Sequence, residues 1–212
     1  MTTTTTTTRA AGLTAAEATA EAVQRPFLCT FFFAGCKQNF ATKNEWKRHV
    51  STQHMQFHIW RCDYAVCDER KTATFNRKDL FGQHLKRMHL PPGAETTGPT
   101  KDHFLSTEVP KIQERCLIVR RQPPQGSSCG FCHGNGNGNG PRVFESWEER
   151  MEHVGRHYEN AAASGEDVRP EKWVRDEELV RWSVAERLVV ADNHGGFTLV
   201  SQGKEAVVGL QQ

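Results

Sequence analysis

The sequence predicts a set of small ββα units in place of one large core, and three observations predict it. Only 37% of the 212 residues are hydrophobic, and whole stretches lack any apolar period. Twelve of the seventeen Cys and His residues recur in three places in the order Cys, Cys, His, His. Within each set an aromatic residue stands nine positions before the first His: Phe40, Phe75 and Phe144. Units of about 25 to 30 residues cannot hold together by burial alone, since domains below roughly 40 residues usually need a metal or disulfides.

Met1 to Gln24 opens with seven consecutive threonines and continues as Ala, Thr and Glu, so residues 1–24 are expected to be disordered. No basic stretch leads into an apolar run there, so no secretory signal is read; Arg9 and Glu17 argue against a transit peptide. A reducing compartment follows, where thiols bind metal more often than they pair. No run of about 18 apolar residues exists, and a membrane span is not expected.

Residues 25–55 form the first unit. Cys29, six residues, Cys36, twelve residues, His49, four residues and His54 place two thiols on a hairpin and two imidazoles a turn apart on a helix. Four such ligands close a tetrahedron around Zn2+. Trp46 supplies core three residues before His49, and Phe31 to Phe33 are expected to lengthen the hairpin. Residues 56–90 repeat the plan with Cys62, Cys67, His84 and His89, and Phe81 in Trp46's place. The apolar join Met55-Gln56-Phe57-His58-Ile59-Trp60 suggests that these two units pack on each other.

Residues 91–110, with Pro91, Pro92, Gly93, Gly98, Pro99 and Pro110, read as a linker. Residues 111–160 hold the third unit, Cys129, Cys132, His153 and His157, interrupted by the Gly and Asn repeat Gly134 to Gly140, a flexible loop. Arg150 stands where an apolar residue belongs, so Trp147 and Met151 are expected to fill the core. Cys116, beside Leu117, Ile118 and Val119, suits burial in a strand. Residues 161–212 form a tail: Trp173, Leu179, Trp182, Ala185 and Leu188 read as a helix. A hairpin of Val189 to Ala191 and Phe197 to Val200 follows, and the tail is expected to pack on the third unit.

Charge separates the units. Residues 25–90 carry twelve Lys and Arg against five acids, whereas residues 141–212 carry nine against fourteen. In a ββα unit that enters the DNA major groove, helix positions −1, 3 and 6 face successive bases. These are Thr42, Glu45 and Arg48 in the first unit, and Arg77, Leu80 and Gln83 in the second. Arg77 beside Asp79 suits a braced guanidinium bidentate to guanine; Arg48 suits guanine as well, and Glu45 suits cytosine. Lys43, Lys47, Lys78, Lys86 and Arg87 suit phosphates. The third unit presents Ser146, Glu149 and Glu152, with Glu145 and Glu148 beside them, and is expected to contact protein.

Lys43 to Val50, Phe75 to Leu80, Cys129 to Cys132 and Ser146 to Arg150 resemble C2H2-type zinc-finger proteins of filamentous ascomycete fungi, generally regarded as transcription factors. The resemblance spans roughly residues 27 to 160, and Trp173 to Val200 is similar to the tail that often follows. It implies a nuclear regulator; the Gly and Asn insertion departs from its pattern. The reading is therefore a zinc-dependent, sequence-specific binder of double-stranded DNA with three structural Zn2+ ions. Protein partners are expected through the third unit and the tail, and neither a membrane nor a small-molecule substrate is. The alternatives are a protein adaptor and an RNA binder. No open-site zinc motif, nucleophile elbow or phosphate loop suggests an enzyme.

Overall fold

The computed structural model describes residues 25–68, 73–94, 98–132, 141–166 and 173–200. The expectations for residues 1–24 and for the Gly134 to Gly140 repeat lie outside the described residues. Within the first unit, β1 (Phe27–Leu28) pairs antiparallel with β2 (Asn39–Phe40), Phe27 opposite Phe40. Between them the chain makes a 3-10 turn at Thr30–Ala34, not the longer hairpin expected from Phe31 to Phe33. Two local features drive it: Cys29 Sγ accepts the Phe31 N–H at 3.4 Å, and Gly35 closes the turn at φ 91, which a side chain would resist. Helix α1 (Lys43–His49) starts on a capping box in which Thr42 accepts from Glu45 N and Glu45 accepts from Thr42 N.

The second unit contains β3 (His58–Arg61), α2 (Ala65–Asp68), β4 (Thr74–Phe75) and α3 (Lys78–Met88), with Trp60 opposite Phe75. The expected linker is only partly one. Helix α4 (Pro99–His103) runs through a π turn at Phe104–Glu108 into α5 (Val109–Arg115). Pro99 lies in the first turn of α4, where no N–H is needed, and Pro110 comes just after the π turn, so neither breaks the helical run. Strand β5 (Leu117–Val119) then pairs with the free side of β3, His58 opposite Val119, giving a sheet of order β4-β3-β5. Phe104, Val109, Ile112 and Cys116 share a core with Cys62, Cys67, Phe81 and Leu85. Residues 111–119 thus complete the second unit rather than open the third.

The third unit pairs β6 (Ser127–Ser128) with β7 (Val143–Phe144) ahead of the 18-residue α6 (Trp147–Ser164). The tail holds α7 (Glu177–Ala185) and a hairpin of β8 (Val189–Ala191) and β9 (Phe197–Leu199), Val190 opposite Thr198. Trp173 and Leu188 flank α7 outside its bounds.

The expected packing of the first two units on each other is not what forms the core. Trp46, Val50 and Met55 of the first unit are buried with Trp147, Met151, Val154 and Tyr158 of the third and Leu179, Leu188 and Val189 of the tail. Phe57, from the join, also turns that way, meeting Trp147 and Trp182. Helices α1 and α6 come close because residue 155 is Gly: a Cβ there would sit 2.5 Å from Lys43 Cδ. Trp46 and Tyr158 meet edge to face at 5.6 Å, and Tyr158 donates to Leu28 O. The first two units touch more lightly, Asn76 Nδ2 donating to Thr52 O at 2.9 Å. Among the described residues no helix is long and apolar enough to cross a membrane.

Candidate metal centres and nucleic-acid face

The twelve Cys and His residues read from spacing converge as three sets of four: Cys29, Cys36, His49, His54; Cys62, Cys67, His84, His89; and Cys129, Cys132, His153, His157. In each set the ligand atoms lie within 4.8 Å of one another. A tetrahedron with metal–sulfur bonds of about 2.3 Å and metal–nitrogen bonds of about 2.1 Å has edges of roughly 3.3 to 3.8 Å. The edges of the clusters are close to these: Cys36 Sγ to His49 Nε2 3.4 Å, Cys67 Sγ to His84 Nε2 3.6 Å, Cys132 Sγ to His157 Nε2 3.4 Å. The donor sets therefore fit one metal ion each, and their mixed sulfur and imidazole chemistry is compatible with zinc.

Different spacings between the two His residues demand different backbones. His153 and His157, four apart, share a face of the regular helix α6. His49 and His54 are five apart, which on an α-helix would turn the second ring away. The chain widens into a π turn at Val50–Met55, and Gln56, in the left-handed region, ends it by donating to Ser51 O. For the same spacing in the second unit, α3 stops at Met88 and His89 swings out of the helix at φ −131. The aromatic residue nine before each first His packs on that ring: Phe40 on His49 at 4.7 Å, Phe75 on His84 and Phe144 on His153 both at 4.9 Å.

Burial lowers the pKa of His54, His84, His89, His153 and His157, His153 to about 4, so these imidazoles are neutral and free to donate a lone pair at pH 7. Burial pushes the Cys62 and Cys129 thiols up to about 11. In the first set a hydrogen bond from Cys29 brings Cys36 down to about 4 and raises Cys29 itself. Such thiols ionise together only beside a cation, which a bound metal supplies. Cys116 is buried, as expected, just before β5 and outside the ligand sets.

Arg150, the polar residue at the third unit's core position, is fully buried. Its Nε donates to Ser128 O at 3.0 Å and lies 3.3 Å from Asp176 Oδ2, while its guanidinium covers the Trp147 ring. Asp176 caps α7 by accepting from Leu179 N and also accepts from Ser128 N. Trp147 and Met151 are buried as expected. Arg121 plays a similar part elsewhere, donating to Met55 O at 2.7 Å and meeting Glu186 at 3.3 Å, so it ties the end of the π turn to the tail.

The positions read as nucleic-acid contacts divide sharply. Lys43 lies 3.2 Å from both Glu152 and Glu159, and Lys47 pairs with Glu148 and, at 2.7 Å, with Glu152. These lysines face α6, whose acids neutralise them, and the expectation that they serve phosphates is met by an occupied pair of side chains. Thr42 and Glu45 are held in the capping box. On α3, Lys78, Leu80, Gln83, Lys86 and Arg87 are exposed, and Arg77 is braced by Asp79, Nε to Oδ1 3.0 Å. Arg48, exposed, lines with Glu45, Arg77 and Leu80 an open groove of about 630 Å³ between α1 and α3. Arg25, Gln53 and Asn76 line it too. Spacing did not reveal these three, since they lie outside the base-facing helix positions.

The three Cys2His2 clusters on small strand and helix elements define a chain with zinc-finger-like units that can bind metal. No family model, no curated protein and no solved structure matches the chain.

Proposed function

We propose that the chain is a zinc-dependent, sequence-specific binder of double-stranded DNA acting as a transcriptional regulator in the nucleus, with one structural Zn2+ in each cluster. One observation carries the reading. Helix α3 presents Lys78, Lys86 and Arg87 to solvent together with a braced Arg77, and Arg48 faces the same groove from α1. Exposed cations beside base-reading side chains give both the electrostatic term and a means of discrimination. The resemblance of the Lys43 to Val50 and Phe75 to Leu80 segments to fungal zinc-finger regulators supports it. Four protein ligands saturate each ion and leave no open position for catalysis.

A protein-contact role is favoured by a separate feature: the outer strand β5 exposes Leu117, Ile118 and Val119. Fluorescence anisotropy of the zinc-loaded chain with mixed-sequence duplex DNA, before and after chelation, tests the main reading. Zinc-dependent binding that weakens with salt is expected. Absence of binding would favour the adaptor, and stronger competition by duplex RNA would favour an RNA ligand.

A further inference from the structure

We infer that a single helix, α3, reads the nucleic acid, extended only by Arg48, so that the recognised element is four contiguous bases and not two triplets. The inference rests on the DNA-binding reading above and narrows its site. Two fingers in tandem would each offer three base-facing side chains, three base pairs per finger. The first unit cannot do so. Thr42 and Glu45 spend their side chains on each other's backbone, Glu45 N to Thr42 Oγ1 at 3.2 Å and Thr42 N to Glu45 Oε2 at 3.3 Å. Taking either side chain out of the cap gives up one of the two hydrogen bonds that begin α1.

The flank of α1 is closed as well. Glu148, Glu152 and Glu159 of α6 stand over Lys43 and Lys47 and are themselves partly exposed, Glu148 by 70%. A phosphate approaching from that side meets carboxylates before it meets lysine. The arrangement is not a loose latch, because Trp46, Val154 and Tyr158 beneath it are fully buried. The third unit offers no alternative reading helix, since α6 turns Glu148 and Glu152 onto the lysines of α1, exposes Glu149 and buries Arg150.

Helix α3 is the opposite case. Gln83 and Leu80 are exposed on α3 and half-buried Arg77 stands at its N-cap, suited to adenine, to a thymine methyl and to guanine respectively. Among the described residues Lys78, Lys86 and Arg87 have no acidic partner for their side chains. Arg48 lines the same groove as Arg77, so it reaches the base beside Arg77's guanine, and a guanine is its natural partner. The element is adenine, thymine, guanine, guanine in the order Gln83, Leu80, Arg77, Arg48.

Selection from random duplexes with the zinc-loaded full chain, followed by titration of the selected duplex against salt, tests this. Four adjacent informative positions are expected. Arg77→Ala should flatten one of them and Arg48→Ala its neighbour, each losing about ten- to a hundredfold in discrimination. Lys86→Gln should lower the slope of log K against log salt by about 0.9, and the double variant Lys43→Gln/Lys47→Gln should leave motif and slope unchanged. Six informative positions, or a motif or slope lost in the double variant with zinc content intact, would overturn the single-helix assignment while preserving DNA binding. No enriched motif at all would remove the DNA-binding reading and this inference with it.

Discussion

Arg150 and Asp176 face each other across 3.3 Å with neither side chain open to solvent, one on the third unit's helix and the other at the start of the tail helix. A guanidinium at a finger's core position is costly to bury, and burial does lower its pKa. Asp176, Ser128 O and the Trp147 ring together offset that cost. The pair makes the tail part of the third unit.

Breaking this pair on one side should be expensive. Asp176→Ala strands a buried cation and removes the cap of α7, and a loss of about 3 to 5 kcal/mol is expected. Replacing both residues together with apolar residues of similar volume should cost much less. Urea unfolding of zinc-loaded variants measures both; equal losses for the single and double changes would show that the pairing itself does not matter.

Close approach of α1 and α6 depends on Gly155. A Cβ there meets Lys43 Cδ at 2.5 Å and Trp46 Cζ3 at 3.6 Å. Gly155→Ala should displace the flexible lysine from Glu152 and Glu159 at small cost, because partly exposed ion pairs are worth about 0 to 1 kcal/mol. Gly155→Leu should force Trp46 aside and cost roughly 1 to 3 kcal/mol. Thermal unfolding with zinc in excess distinguishes the two; a leucine variant as stable as the parent would contradict the packing.

Acid should release the metal and unfold the units together. With the imidazole of His153 held down at about 4 by burial, its folded form stays neutral where an unfolded histidine, near 6.5, takes up a proton. Between about pH 6.5 and 4 the unfolded chain therefore binds more protons, and stability falls as pH falls. Competition of protons with metal for the Cys ligands acts in the same direction. Circular dichroism and zinc release followed in parallel should give coincident transitions on lowering the pH.

Metal content should follow the three ligand sets and nothing else. Cys116→Ser leaves all twelve ligands in place, so a stoichiometry of three zinc ions is expected to persist by elemental analysis. His84→Ala should remove one equivalent and loosen the second core, where Phe81 and Leu85 are buried, and leave the Trp46 and Tyr158 core folded, since the two cores are separate. Loss of all three ions on that single change would show one cooperative unit in their place.

Sequence alone determined all twelve members of the three clusters, the aromatic residue on each first His, the Arg77 and Asp79 pair and the hairpin of the tail. These are local: ligand spacing along a hairpin and a helix, or two residues on one turn, fix geometry without knowledge of the rest of the chain. Tertiary structure alone decided who packs on whom. Pro99 and Pro110 looked like breakers because proline starts helices and ends them with the same letter. The join from Met55 to Trp60 is apolar whichever partner it meets, and only the fold turned Phe57 toward Trp147 and Trp182. The acids of α6 and the lysines of α1 lie about a hundred residues apart in the chain, so nothing local could reveal that they neutralise each other and leave α3 as the open basic helix. Burial of Trp46 against Tyr158, a contact fixed by the whole core, brings them together.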